Sequence, residues 1–232
     1  MINRKKYYNA IYKKRFTIFL MSILLLMFGN LLFPNNRQCI IETTFLSQNM
    51  IMGYLLFLDS SKIKKNIMLI TISIGILLKV IDQFTEENLS AYFLFAYVLF
   101  FGFSTVKLFR YLKKHDHVDI ESISAVFSGF LLIGFVFALA FISIDKGNES
   151  AFISNVHYLG FSDFLYFSFV TLLTIGYGDI SPSTELTKKM VLILGLIGHF
   201  YTVFVTAIIV GKYMAVIGEK KTKSSDQNDH LI

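Results

Sequence analysis

The amino-acid sequence predicts an all-α membrane protein: six transmembrane helices, with a short re-entrant helix and a loop between the fifth and the sixth. Three observations predict it. Apolar residues make up 54% of the chain and charged residues only 16%, less charge than a soluble domain of this size carries, and the apolar residues fall in long runs. One apolar run, 162–173, is too short to cross a bilayer and fits a re-entrant helix. Most of the Lys and Arg residues fall in segments that a six-span layout places on one face of the membrane.

The N-terminal segment 1–15 is basic and is expected to be cytoplasmic, with Arg4, Lys5, Lys6, Lys13, Lys14 and Arg15. Spans then follow the apolar runs at about 16–33, 44–58, 66–81 and 89–109, and segment 16–111 is expected to form a four-helix peripheral membrane domain. The first run is too long for the core of a signal peptide and has no small-x-small cleavage site after it, so it reads as a retained span. The second and third runs are short and need flanking residues to reach span length.

A cytoplasmic linker, 112–122, leads to the second unit, 123–217, with its outer helix, the short helix 162–173, the loop 174–179 and an inner helix 188–217. Residues 218–232, rich in Lys, Ser, Asp and Asn, read as a disordered cytoplasmic tail.

Charge sets the orientation. The N-terminus, the loop with Lys62, Lys64 and Lys65, the segment with Lys107, Arg110, Lys113 and Lys114, and the tail with Lys212, Lys220, Lys221 and Lys223 hold 17 of the 22 basic residues. With the N-terminus inside, six spans put all of them on the cytoplasmic face, and the opposite loops hold Asp82, Glu86, Glu87, Asp145 and Glu149. Topology thus accounts for the net charge of +6, and a nucleic-acid partner is not needed to explain it. The expected location is the plasma membrane, multi-pass, with both termini cytoplasmic. Cys39 is alone, which excludes an intrachain disulfide. No motif for nucleotide, metal or nucleophile chemistry is present, so no enzyme activity and no cofactor are expected.

The chemistry concentrates in Thr174-Ile175-Gly176-Tyr177-Gly178-Asp179, which the topology places on the outer side. Gly176 and Gly178 tolerate positive φ, and alternating conformations turn successive carbonyls toward one axis. Non-helical backbone at membrane depth persists only where it is buried in protein or lines a watery path. Rings of carbonyls can replace the hydration shell of a potassium ion. One chain supplies one loop, so a ring of four requires three further copies of the chain, a homotetramer set in membrane lipid.

This hexapeptide resembles the signature of the potassium channel family. Its neighbours fit: Tyr166 and Phe167 in the short helix, Thr171 three residues before Thr174, and Pro182 just after the loop. The resemblance covers segment 123–217. It implies that the carbonyls of Thr174, Ile175, Gly176 and Tyr177, with the Thr174 hydroxyl, form the potassium sites of a selectivity filter that Gly178 completes. It implies that Tyr177 points away from the pore and packs on Tyr166 and Phe167, and that Asp179 sits at the outer mouth. Many relatives carry two Trp where this chain has Tyr166 and Phe167. Some pair the aspartate with a glutamate where this chain has Val170, which weakens the case for a carboxyl network behind the filter. Gly198 lies where the family keeps a hinge glycine; close packing against the short helix is the other reading.

On the inner helix His199, Thr202 and Thr206 share one face and are candidates to line an inner cavity. Protonated His199 rings would repel a permeating cation and make the current pH-sensitive; a neutral His199 bonded to another helix is the alternative. The fourth run has no Lys or Arg over 89–106, so strong voltage gating is not expected, and Lys107 and Arg110 read as snorkelling anchors. The cluster His115, Asp116, His117, Asp119 and Glu121 reads either as a metal or proton sensor or as a solvated connector. The expected function is passive, selective conduction of potassium. The alternatives are a potassium transporter component, which usually carries repeated degenerate loops in one chain, and a non-conducting subunit that co-assembles with a channel.

Overall fold

The computed structural model describes residues 11–29, 38–84, 90–114, 119–148, 150–155 and 159–229. Arg4, Lys5, Lys6, Glu86, Glu87, His115, Asp116, His117 and Glu149, all invoked above, lie outside them. The elements in order are α1 (Arg15–Phe28), α2 (Gln38–Gly53) with a 3₁₀ turn Tyr54–Phe57, α3 (Lys62–Phe84), α4 (Ser90–Lys114), α5 (Ile120–Gly147), β1 (Phe152–Ser154), α6 (Phe161–Leu172), β2 (Ile180–Pro182) and α7 (Glu185–Asp229). Among the described residues, α5 and the Glu185–Ile208 part of α7 are long and apolar enough to cross a membrane, while α1 and α6 are apolar but shorter.

α5 is the axis of the fold, contacted by α1, α4, α6 and α7. It begins at Ile120, three residues before the expected start, because the Asp119 carboxylate accepts the Ser122 N–H at 2.8 Å and caps it. Glu121 in its first turn and Lys146 in its last both suit the helix dipole. α1 buries Phe16, Phe19, Ile23 and Leu26, a stripe at helical spacing. Its Ser22 hydroxyl accepts bonds from Gln48 and the fully buried Asn49 of α2, each at 3.0 Å. Phe101 of α4 stacks on Phe135 of α5 at 6.2 Å. On α7, Leu194, Tyr201 and Val205 are buried, and Tyr201 donates a hydrogen bond to the Val126 carbonyl of α5 at 2.5 Å.

Two expectations need correction. The chain is not purely helical: β1 and β2 form an antiparallel pair, Phe152 opposite Pro182 and Ser154 opposite Ile180. Burial of Phe152 and Ile180 drives that pairing, and a ribbon this short leaves little alternation to read in sequence. The segment after residue 217 is also not irregular, since α7 continues to Asp229. Extending an existing helix needs no new nucleus, and its Lys, Glu and Gln residues favour helix.

Lys107 does more than anchor. Its ammonium lies 2.6 Å from Asp59 in the turn before α3, and Asp59 also takes Arg15 of α1 at 3.3 Å. Burial alone would push the Asp59 carboxyl up; the bond from Lys107 and the charges of Arg15 and Lys107 outweigh that and hold it below its ordinary value. A carboxyl lowered on folding stabilises the native state above its unfolded pKa, and the gain is lost as pH falls through the folded value. Asp59 is one-third exposed, so solvent screens the pair. Asp59→Asn is expected to cost about 1 kcal/mol at neutral pH and to flatten the loss of thermal stability on acidification below about pH 4. Parallel melting curves of the two proteins across that range check this.

Candidate functional site

The loop 174–179 hangs from α6, and α6 is held by what its neighbours lack. Gly134 of α5 lets the Phe169 ring lie flush: a Cβ there would meet three ring carbons at 2.6 to 2.9 Å. Ser168, fully buried, donates to the Gly134 carbonyl at 2.7 Å. On the other side a Cβ on Gly198 of α7 would stand 2.4 Å from the Leu172 Cδ1. This close approach is the packing role expected for Gly198. Phe167 is buried against Phe141 and Phe152, with ring centroids 5.3 and 5.6 Å away. At its start α6 is capped from Gly160, with the Asp163 carboxylate accepting the Gly160 N–H at 2.8 Å.

The backbone after α6 turns back on the helix end. Thr174 N–H donates to the Thr171 carbonyl at 3.0 Å, and the Val170 carbonyl accepts Ile175 N–H at 2.9 Å and Gly176 N–H at 3.4 Å. Thr174, Gly176 and Gly178 have φ of 57°, 63° and 80°, and the residues between them do not. Every second residue is thus left-handed, which turns successive peptide groups to one side. Thr174, a β-branched residue at positive φ, is strained. The donors of 174–176 point back at α6, and the carbonyls of 174–177 accept no hydrogen bond among the described residues. A row of unpaired carbonyl oxygens is a set of hard donors suited to a cation that gives up its water.

The outer end is anchored twice. The Tyr166 hydroxyl donates to Asp179 at 2.8 Å. The β1–β2 ribbon and the buried Thr187 hydroxyl, bonded to the Ala151 carbonyl at 3.1 Å, hold the chain that follows. Sequence reasoning sought an acidic partner for Asp179, found Val170, and missed the tyrosine one turn earlier on α6. Within one subunit Phe167 faces α5 and β1, and Tyr177 is 70% exposed. His199, Thr202 and Thr206 are all exposed on α7, with the Thr202 and Thr206 hydroxyls bonded to the carbonyls of Gly198 and Thr202. Asp119 and Glu121 have structural partners: Asp119 caps α5, and Glu121 accepts Phe16 N–H at 2.9 Å and the Thr17 hydroxyl.

Residues 129–215, from α5 through α6 and the loop into α7, match the family described as "Ion channel". Over this segment, which is less than half of its length, the chain is similar to that family. It is also similar to the "Probable potassium channel protein 2" of Methanocaldococcus jannaschii, 31% identical over 75 residues, which cover 29% of this chain and 22% of that protein. No solved structure matches the chain.

Proposed function

We propose that this channel is a potassium-selective homotetramer in which the carbonyls of Thr174, Ile175, Gly176 and Tyr177 and the Thr174 hydroxyl coordinate the permeating ions. The alternation of left-handed residues at 174, 176 and 178, with the carbonyls between them unpaired, carries this reading. Four loops around one axis turn that row into stacked oxygen rings. Assembly is further supported by apolar residues that one chain leaves uncovered around the loop and on α7: Leu173, Ile175, Leu196, Phe200 and Phe204 are each at least two-fifths exposed. In the tetramer Tyr177 turns away from the axis and packs with Tyr166 at the rim, while Phe167 stays buried against α5 and β1.

The chain crosses the membrane six times, with α1 to α4 peripheral and both termini on the cytoplasmic, basic side of the plasma membrane. Since 89–106 has no basic residue, voltage contributes little opening energy. Purified protein in liposomes tests the function: potassium flux well above sodium flux is expected, and no flux or equal flux of the two ions rejects it.

One site residue carries a separate expectation: Tyr166→Phe removes the bond that fixes Asp179. Sustained potassium current is expected to decay several-fold faster with initial selectivity retained, and an unchanged decay under a steady gradient contradicts that role. His199, Thr202 and Thr206, exposed together on α7, line the inner cavity of the tetramer.

A further inference from the structure

A second polar site lies far from the loop along the chain, among the helices of the peripheral domain. A cavity of about 1090 Å³ is walled by α1, the turn after α2, α3, α4 and the start of α5. Arg15 stands in its wall, only 5% exposed, with its guanidinium 4.0 Å over the Tyr12 ring. One of its nitrogens reaches Asp59, while Nε and Nη1 have no hydrogen-bond partner among the described residues. A buried guanidinium with two idle donors is costly unless something else accepts from them.

The charges around it point to an anion. Lys13, Lys64, Lys107 and Arg110 share the wall with Arg15, against the acids Asp59, Asp119 and Glu121. Each acid is engaged: Asp59 by Arg15 and Lys107, Asp119 by the start of α5, and Glu121 by α1. Lys13, Lys64 and Arg110 have no carboxylate partner among the described residues. The rest of the wall combines Tyr12, Ser60, Ser61 and Tyr111 with an apolar flank that includes the surface-exposed Ile67, Phe103 and Val106. The volume is many times that of a phosphate ion, and a positive pole beside an apolar flank suits a headgroup with acyl chains attached.

We propose that this cavity binds the phosphate headgroup of an anionic phospholipid from the cytoplasmic leaflet, with Arg15, Lys64 and Arg110 as its cationic contacts. The acyl chains lie along the exposed faces of α3 and α4. The site is placed to bear on the channel, because Phe16 and Thr17, next to Arg15, hold Glu121 at the start of α5. A headgroup drawn onto Arg15 therefore pulls on the helix that carries α6. The proposal rests on the membrane placement given above but not on ion selectivity, so failure of the flux assay and failure of this site are separate results.

The test is binding of fluorescent phosphatidylglycerol, against fluorescent phosphatidylcholine, to the purified full chain in neutral detergent. Lys64→Gln/Arg110→Gln changes two exposed rim residues, and Arg15→Gln changes the buried one. Tighter binding of phosphatidylglycerol is expected, weakened about thirtyfold by the double substitution, at about fivefold per charge. Arg15→Gln is expected to weaken it further where the protein still assembles. Equal binding of the two lipids, or unchanged phosphatidylglycerol binding in the double variant, overturns the proposal. Full displacement by millimolar inorganic phosphate assigns the cluster to a soluble phosphate and overturns it as well.

Discussion

Replacing Gly176 with alanine is expected to reduce potassium flux at least about a hundredfold while leaving the chain in the membrane as a tetramer. The cause is backbone and not crowding. Gly176 has φ of 63°, and a Cβ built there meets nothing within 4 Å in the subunit. An L-residue in that conformation costs about 1–2 kcal/mol, and in the proposed tetramer the penalty recurs in all four copies. Thr174, two residues before it, already carries that strain, so the loop has little slack. Relief comes by returning residue 176 to negative φ, which swings a carbonyl out of the row and breaks an oxygen ring. Gly102→Ala is the control. Gly102 sits in α4 with nothing within 4 Å of its Cβ position and no positive φ, so alanine there is expected to leave flux unchanged and to favour the helix. Wild-type flux and selectivity in Gly176→Ala would contradict the role given to the loop.

The second large effect is on assembly. Gly134→Val is expected to lower the melting temperature of the assembled protein by about 5–10 °C, corresponding to about 2–3 kcal/mol of overpacking. Three atoms of the Phe169 ring lie under 3.0 Å from the position of the first added carbon. That ring is buried and lies edge-on against Phe135 at 6.0 Å, which limits its room to move. The shift displaces α6 and strains the bond from the Ser168 hydroxyl to the Gly134 carbonyl. Since α6 carries the carbonyls that hold Ile175 and Gly176, flux is expected to fall along with stability. Phe169→Leu in the same background vacates ring volume and is expected to recover part of both. A Gly134→Val protein as stable as the wild type would mean that α5 and α6 are not packed in this way.

These two glycines also show what could be read from sequence and what could not. Gly176 was legible because its role is local: two glycines around one tyrosine, between apolar runs, state a backbone geometry by themselves. The succession of long, short and long helix, α5 to α7, was legible for the same reason, with long apolar runs bracketing one too short to cross. Gly134 was not legible, because a glycine in the middle of an apolar helix gives no sign of which ring will lie on it. The Tyr166 bond to Asp179 was hidden by an expectation that a carboxylate here needs an acidic neighbour, when a phenol one turn earlier on the helix serves. The ribbon β1–β2 carries too few residues to show a period. Asp59, Arg15 and Lys107 come from three separated segments, and only packing brings them together.

The most direct measurement of the central claim is the anomalous scattering of rubidium or thallium bound to the assembled protein. Both ions substitute for potassium in oxygen cages, and neither depends on knowing what opens the channel. A column of ion peaks is expected on a fourfold axis, lying between the carbonyl planes of Thr174, Ile175, Gly176 and Tyr177. An assembly that is not fourfold, or one whose ions lie away from those carbonyls, would contradict it.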